Sequence, residues 1–236
     1  MKRNREIKND ALNALDGHWG WAILVCIIAG AIAGVIALPQ SVANGARGAL
    51  GFSNPAALAF AGLSLALASF TCLCSIFGTN PLNVGLVNSL SRFFKEGDYH
   101  TVGNMFRLGF GEGRYWKNVA GMFLMGLFTF LWTLLFIIPG IIKAYAYAMT
   151  PYILVDNPEY GPNEARLKSI EMMRGHKWKL FGMELSFIGW FLLCILSLGV
   201  GFIWLSPYYR MAHVSFYNNL KEEQTPKAAP AEITAE

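Results

Sequence analysis

The sequence predicts an all-α protein, a polytopic transmembrane helical bundle of about six spans, built as three helical hairpins with amphipathic helices on the cytoplasmic side. Three observations carry this. Charged residues make up 14% of the 236 residues and hydrophobic ones 54%, where a soluble domain carries roughly 25% charge. The apolar residues gather in runs of about 20, the length that crosses a ~30 Å hydrocarbon core at 1.5 Å per residue. All Lys and Arg except Arg47, Lys143 and Arg210 fall on segments that a six-span path places on one side, which that rule of charge asymmetry makes the cytoplasmic side.

The elements follow in order. Ile7, Ala11 and Leu15 recur every fourth residue among polar and basic neighbours, as in a short amphipathic helix lying on an anionic membrane face. Lys2, Arg3, Arg5 and Lys8 before an apolar run resemble a signal peptide, but the run from His18 to Leu38 is too long for that. It reads as a retained first span. Spans are expected at roughly 18–38, 57–77, 117–138, 140–156, 178–197 and 199–218. The first two are rich in small residues: Gly30-x-x-x-Gly34, and Ala57, Ala61, Ser64 and Ala68, would let two backbones approach closely. Pro39 to Pro55 reads as an external loop, and Pro139-Gly140 leaves almost no loop before a short fourth span. The domain is taken as 1–220, with a polar, Pro-containing tail over 221–236 expected to be disordered. With both ends inside, an even number of crossings agrees with the charge tally. Cys26, Cys72, Cys74 and Cys194 lie in apolar runs and read as small buried side chains.

Three segments share a layout, giving pseudo-repeats over about 7–94, 101–156 and 163–220. Each has an amphipathic stretch, then a Gly with an aromatic cluster: Gly17-His18-Trp19-Gly20-Trp21, Gly113-Arg114-Tyr115-Trp116-Lys117 and Gly175-His176-Lys177-Trp178-Lys179. The Gly would end the surface helix and the Trp would sit at headgroup level. The returning helix carries a proline beside a hydroxyl, at Thr79-Asn80-Pro81, Thr150-Pro151 and Ser206-Pro207. The proline removes one backbone hydrogen bond, which neighbouring groups must replace.

Ile138-Pro139-Gly140-Ile141-Ile142-Lys143, Met149-Thr150-Pro151-Tyr152-Ile153-Leu154 with Asp156-Asn157-Pro158, Met173-x-Gly175-His176-Lys177-Trp178 and Leu185-Ser186-Phe187-Ile188-Gly189-Trp190 occur in this order. Together they resemble the bacterial integral membrane proteins catalogued as domain of unknown function 975. The resemblance extends from about Asn4 to Leu220 and is strongest from Phe128 onward. It implies a bacterial cytoplasmic-membrane protein and names no activity.

Charge inside a span is a functional candidate, because it costs at least ~2.5–3.5 kcal/mol at mid-bilayer. Glu184, Arg210, His213, Lys143 and Asp156 are such intramembrane polar candidates. Glu184 and Arg210 lie on consecutive antiparallel spans and are expected to form an ion pair, with His213 one turn from Arg210. That pair is either a pin between helices or part of a polar path or ligand pocket. Lys143 would snorkel outward. His18, Trp21, Arg114, Trp116, His176 and Trp178 are lipid-headgroup candidates, suited to phosphates of anionic lipids in the cytoplasmic leaflet. Asp156, Glu159 and Glu164 match no metal-ligand loop. The Gly109-x-Gly111-x-Gly113 run follows no strand and reads as flexible chain. No catalytic motif, cofactor or metal site is expected, and no nucleic-acid partner. The sequence favours a non-catalytic membrane protein that binds lipids, a protein partner or its own copy at a basic cytoplasmic face. The alternatives are a small transporter or pore for a solute, peptide or lipid, and an intramembrane enzyme using Glu184, His213 and Arg210.

Overall fold

A computed structural model describes residues 2–50, 55–97, 102–111 and 113–224. Among them the chain is helical, with no strand. The expectation for the tail beyond Gln224 and for part of the external loop, 51–54, lies outside the described residues.

Helix α1 (Asn4–Leu15) forms as its periodicity requires. Ile7, Ala11 and Leu15 are fully buried, and the Glu6 carboxylate caps the helix start by accepting the Arg3 N–H at 2.9 Å. It lies along the last helix, α12 (Phe202–Gln224). Lys8 reaches sideways to the Ser186 hydroxyl at 3.2 Å and covers the Phe187 ring at 4.5 Å. Gly17, Gly113 and Gly175 all have left-handed backbones (φ 75°, 68° and 84°), which other residues adopt only at a cost. Each stands just before an apolar helix: α2 (Trp19–Leu50), α6 (Tyr115–Leu135) and α10 (Lys177–Leu185).

Helix α2 continues through Pro39 to Leu50, so the expected loop from Pro39 is helical for twelve residues. Ala43, Ala46 and Ala49 favour the helix there despite Gly45 and Gly48, and the only bond Pro39 forfeits is its own N–H donation. Helix α3 (Pro55–Cys74) packs against α2 and leads through a π-helical turn, Ser75–Thr79, into α4 (Asn80–Glu96). The turn absorbs Pro81. The Phe77 carbonyl, four residues before that proline, accepts the Tyr115 hydroxyl at 2.8 Å instead. Gly30 and Gly34 meet no neighbour within 4 Å, so this pair does not bring two backbones together within the chain. The close crossing lies elsewhere. A Cβ on Gly85 of α4 would stand 2.0 Å from the Met105 carbonyl oxygen of α5 (Val102–Phe110), and one on Gly109 would stand 2.6 Å from that of Pro81. Gly109 is therefore a packing residue and not flexible chain.

One extended residue, Phe136, separates α6 from α7 (Ile137–Tyr147). Gly140 lets α7 fold back on α6, since a Cβ there would clash with Thr133. The helix then breaks at Ala148–Met149 before α8 (Thr150–Asp156). Ser169 of α9 (Pro162–Met172) bridges the break: its hydroxyl donates to the Ala146 carbonyl at 2.8 Å and accepts the Met149 N–H at 3.2 Å. A second break, at Ser186–Phe187, divides α10 from α11 (Ile188–Leu196).

Burial is uneven. Side chains of α1, α4, α8, α9 and residues 205–220 of α12 form one core. Large exposed apolar residues concentrate in Leu24–Phe77, Trp116–Ile142 and Trp178–Trp204, with Leu134 73%, Ile138 72% and Leu198 95% exposed. At roughly 25 cal/mol per Å², such surface belongs against an apolar solvent. Among the described residues four helical stretches are long and apolar enough to cross a membrane: Trp19–Ala46, Ala61–Glu96, Tyr115–Leu135 and Lys177–Leu196. The expected fourth and sixth spans are not among them. α7 and α8 are individually short, and α12 is enclosed by protein from Leu205 to Leu220. The tail expected from 221 begins later, because α12 stays helical to Gln224.

Candidate functional site

A polar cluster surrounds Glu184, which the third turn of α10 turns inward. Its Oε2 accepts the Tyr145 hydroxyl from α7, and its Oε1 accepts the Tyr209 hydroxyl from α12 at 3.1 Å. His213 Nε2 lies 3.4 Å from the same Oε1 without hydrogen-bond alignment. Tyr209 and His213 are four residues apart and share one face of α12, with ring centroids at 4.6 Å.

Arg210 is turned about 100° from Tyr209, and the expected Glu184–Arg210 ion pair does not form. Arg210 makes no ion pair or hydrogen bond with a described residue. It lines a cavity of about 360 Å³ together with Tyr152, Phe191, Phe202, Leu205, Ser206, Tyr209 and His213. Spacing along the chain found Glu184, Arg210 and His213. It missed Tyr145, Tyr152 and Tyr209, because a tyrosine in an apolar helix carries no charge to mark it.

Asp156 ends α8 as a second hub, outside the four apolar stretches. Lys95 donates to both carboxylate oxygens at 2.8 and 3.0 Å, while Lys221 and the Tyr217 hydroxyl donate to Oδ2 at 2.7 and 3.2 Å. The ends of α4, α8 and α12 thus meet on one carboxylate. Burial pushes its pKa up, but the lysine hydrogen bonds and charges outweigh this and hold it below the ordinary carboxylate value. Asp156 is a clamp between helices. Glu164 accepts the Gly161 N–H at 2.7 Å and caps α9. No three His, Cys, Asp or Glu gather as a metal set among the described residues.

The headgroup candidates divide by exposure. Trp116 and Trp178 are 69% and 81% exposed. Arg114 and His176 are half-buried. His18 and Trp21 instead pack on Phe93, with ring centroids at 5.5 and 5.1 Å. Lys143 of α7 folds its ammonium over the Trp132 ring of α6 at 4.7 Å. Beside Trp178 a groove of about 400 Å³ runs between α7 and α10. Ile138, Ile141, Ile142 and Phe181 form its apolar wall, and Arg174 and Lys177 stand at its basic end. Neither cation was singled out from the sequence.

Residues 122–224, from within α6 to the end of α12, match a family described as a protein of unknown function (DUF975). The resemblance read from the motifs is therefore found over this shorter stretch, which contains Glu184, Arg210, Asp156 and the groove. The family description assigns no activity. No curated protein and no solved structure matches the chain.

Proposed function

We propose that this is a multi-pass protein of the bacterial cytoplasmic membrane that holds anionic phospholipid at its basic cytoplasmic face, without catalysis. The observation that carries the reading is the groove beside Trp178, where an isoleucine wall fit for an acyl chain ends at Arg174 and Lys177. A phosphodiester there meets two cations and an interfacial tryptophan. Three hairpins, α2–α3, α6–α7 with α8, and α10–α11 with α12, form the membrane part. Each returns the chain to the side it left, so both ends share the cytoplasmic side, and the three left-handed glycines support an internal repeat. Transport of a solute, peptide or lipid is the second reading, favoured by the polar cluster around Glu184 and by the helix breaks near Pro151 and Pro81.

Native mass spectrometry of protein released from its own membrane in mild detergent tests the first reading. Retained anionic phospholipid is expected, and the double variant Arg174→Gln/Lys177→Gln should lose it while keeping its fold. A bare protein, or equal retention by the variant, would refute it. For orientation, single cysteines at positions 47 and 98, in a background lacking the native ones, should react with an impermeant maleimide from outside and inside respectively. External labelling at 98 would reject the arrangement.

A further inference from the structure

The cavity at Arg210 is separate from the interfacial groove and is built differently. Glu184, the expected counterion, is already taken by Tyr145 and Tyr209, and Arg210 forms no ion pair among the described residues. His213 retains a buried ring nitrogen that makes no hydrogen bond. Arg210, with no ion pair or hydrogen bond to a described residue, therefore faces a space of about 360 Å³ beside the His213 ring, whose Nε2 lies toward Glu184; the volume is within the size range of small-molecule sites. Ser206 and Tyr209 add hydroxyls to the same wall. The remaining lining is apolar, and Phe202 is 39% exposed on the apolar surface of the third hairpin. Polar floor and apolar mouth together describe a ligand with a charged head and a hydrocarbon tail.

We infer that this cavity binds the oxyanion head of a single-chain amphiphile, a carboxylate or a phosphate monoester, against Arg210, with its tail passing Phe191 and Phe202. A guanidinium donates two parallel hydrogen bonds to either head, so the head chemistry is shared and the tail is what separates a lipid from a free ion. This site stands on its own lining residues and does not depend on phospholipid binding at Trp178.

The test is calorimetric titration of the full chain in neutral detergent with dodecyl phosphate, dodecanoate, dodecanol and inorganic phosphate. Saturable binding of the first two is expected, with at least about tenfold weakening in Arg210→Gln and a smaller loss in Arg210→Lys. Ser206→Leu, which fills the cavity and keeps the charge, should also lose binding. It serves as the independent variant if Arg210→Gln fails to fold. Dodecanol binding as tightly as dodecyl phosphate would overturn the role of Arg210. Inorganic phosphate binding as tightly would make the ligand a free ion and overturn the amphiphile assignment. Unchanged binding in a folded Arg210→Gln or Ser206→Leu would place the ligand elsewhere.

Discussion

Replacing Asp156 by Asn tests how the ends of three helices are held. The carboxylate is 9% exposed and receives two lysines and one tyrosine. Hydrogen bonds to a charged group contribute about 1.5–3 kcal/mol each, but Lys95 and Lys221 are 35% and 48% exposed, so water recovers much of their share. The amide also turns a donor toward Tyr217 and Lys221. A net loss of about 2 kcal/mol at pH 7 follows. The pH dependence has a definite sign. The folded pKa is lowered, so the stabilisation is fully present above the unfolded value of about 3.9 and disappears as pH falls through the lower folded value. Reversible unfolding in mixed micelles should therefore separate wild type from Asp156→Asn at pH 7 and bring them together in acid. A difference under about 0.5 kcal/mol at pH 7, the scale of an ordinary surface change, would refute the reasoning. So would a gap that persists undiminished in acid.

Gly85→Ala forces a Cβ onto the Met105 carbonyl, where backbone cannot yield, and should cost about 3 kcal/mol in the same unfolding assay. Gly30→Ala meets open space and should be neutral or stabilising by up to about 1 kcal/mol. Ser169→Ala leaves the Met149 N–H without its acceptor at the α7–α8 break and should cost about 1–3 kcal/mol, with faster amide exchange at Met149. A cysteine from Leu198→Cys probes how deep the third hairpin goes. Lys177–Leu196 is long and apolar enough to cross a membrane, and Leu198 follows it with 95% of its surface exposed. The position should therefore react with impermeant maleimide from outside, as a cysteine at 47 does. Protection of 198 from both sides would show a hairpin that stops within the bilayer.

The sequence made α1 legible because a four-residue apolar period has one helical meaning, and Ile7, Ala11 and Leu15 are all fully buried. The starts of α2, α6 and α10 were equally readable, since the Gly before each aromatic cluster takes a left-handed turn just ahead of the helix. Three features were not. The helix past Pro39 looked like a loop because proline and glycine weigh heavily in a local reading, although a proline forfeits only one bond. The Glu184–Arg210 pair failed because chain order brings two helices together but does not fix which face each turns. Ser169 stood out to no pattern: it acts on a helix break twenty residues upstream, and only the packing of α9 brings it there.

The docking of α1 on α12 joins two segments far apart along the chain, and this has a consequence for the order of assembly. About 190 residues separate Leu15 from the start of its berth near Leu205, which at 5–20 residues per second is on the order of 10–40 s of synthesis. Through that interval the face of Ile7, Ala11 and Leu15 has no protein to cover it. Its basic neighbours suit it to wait on an anionic bilayer surface, and it can join the core only when α12 emerges.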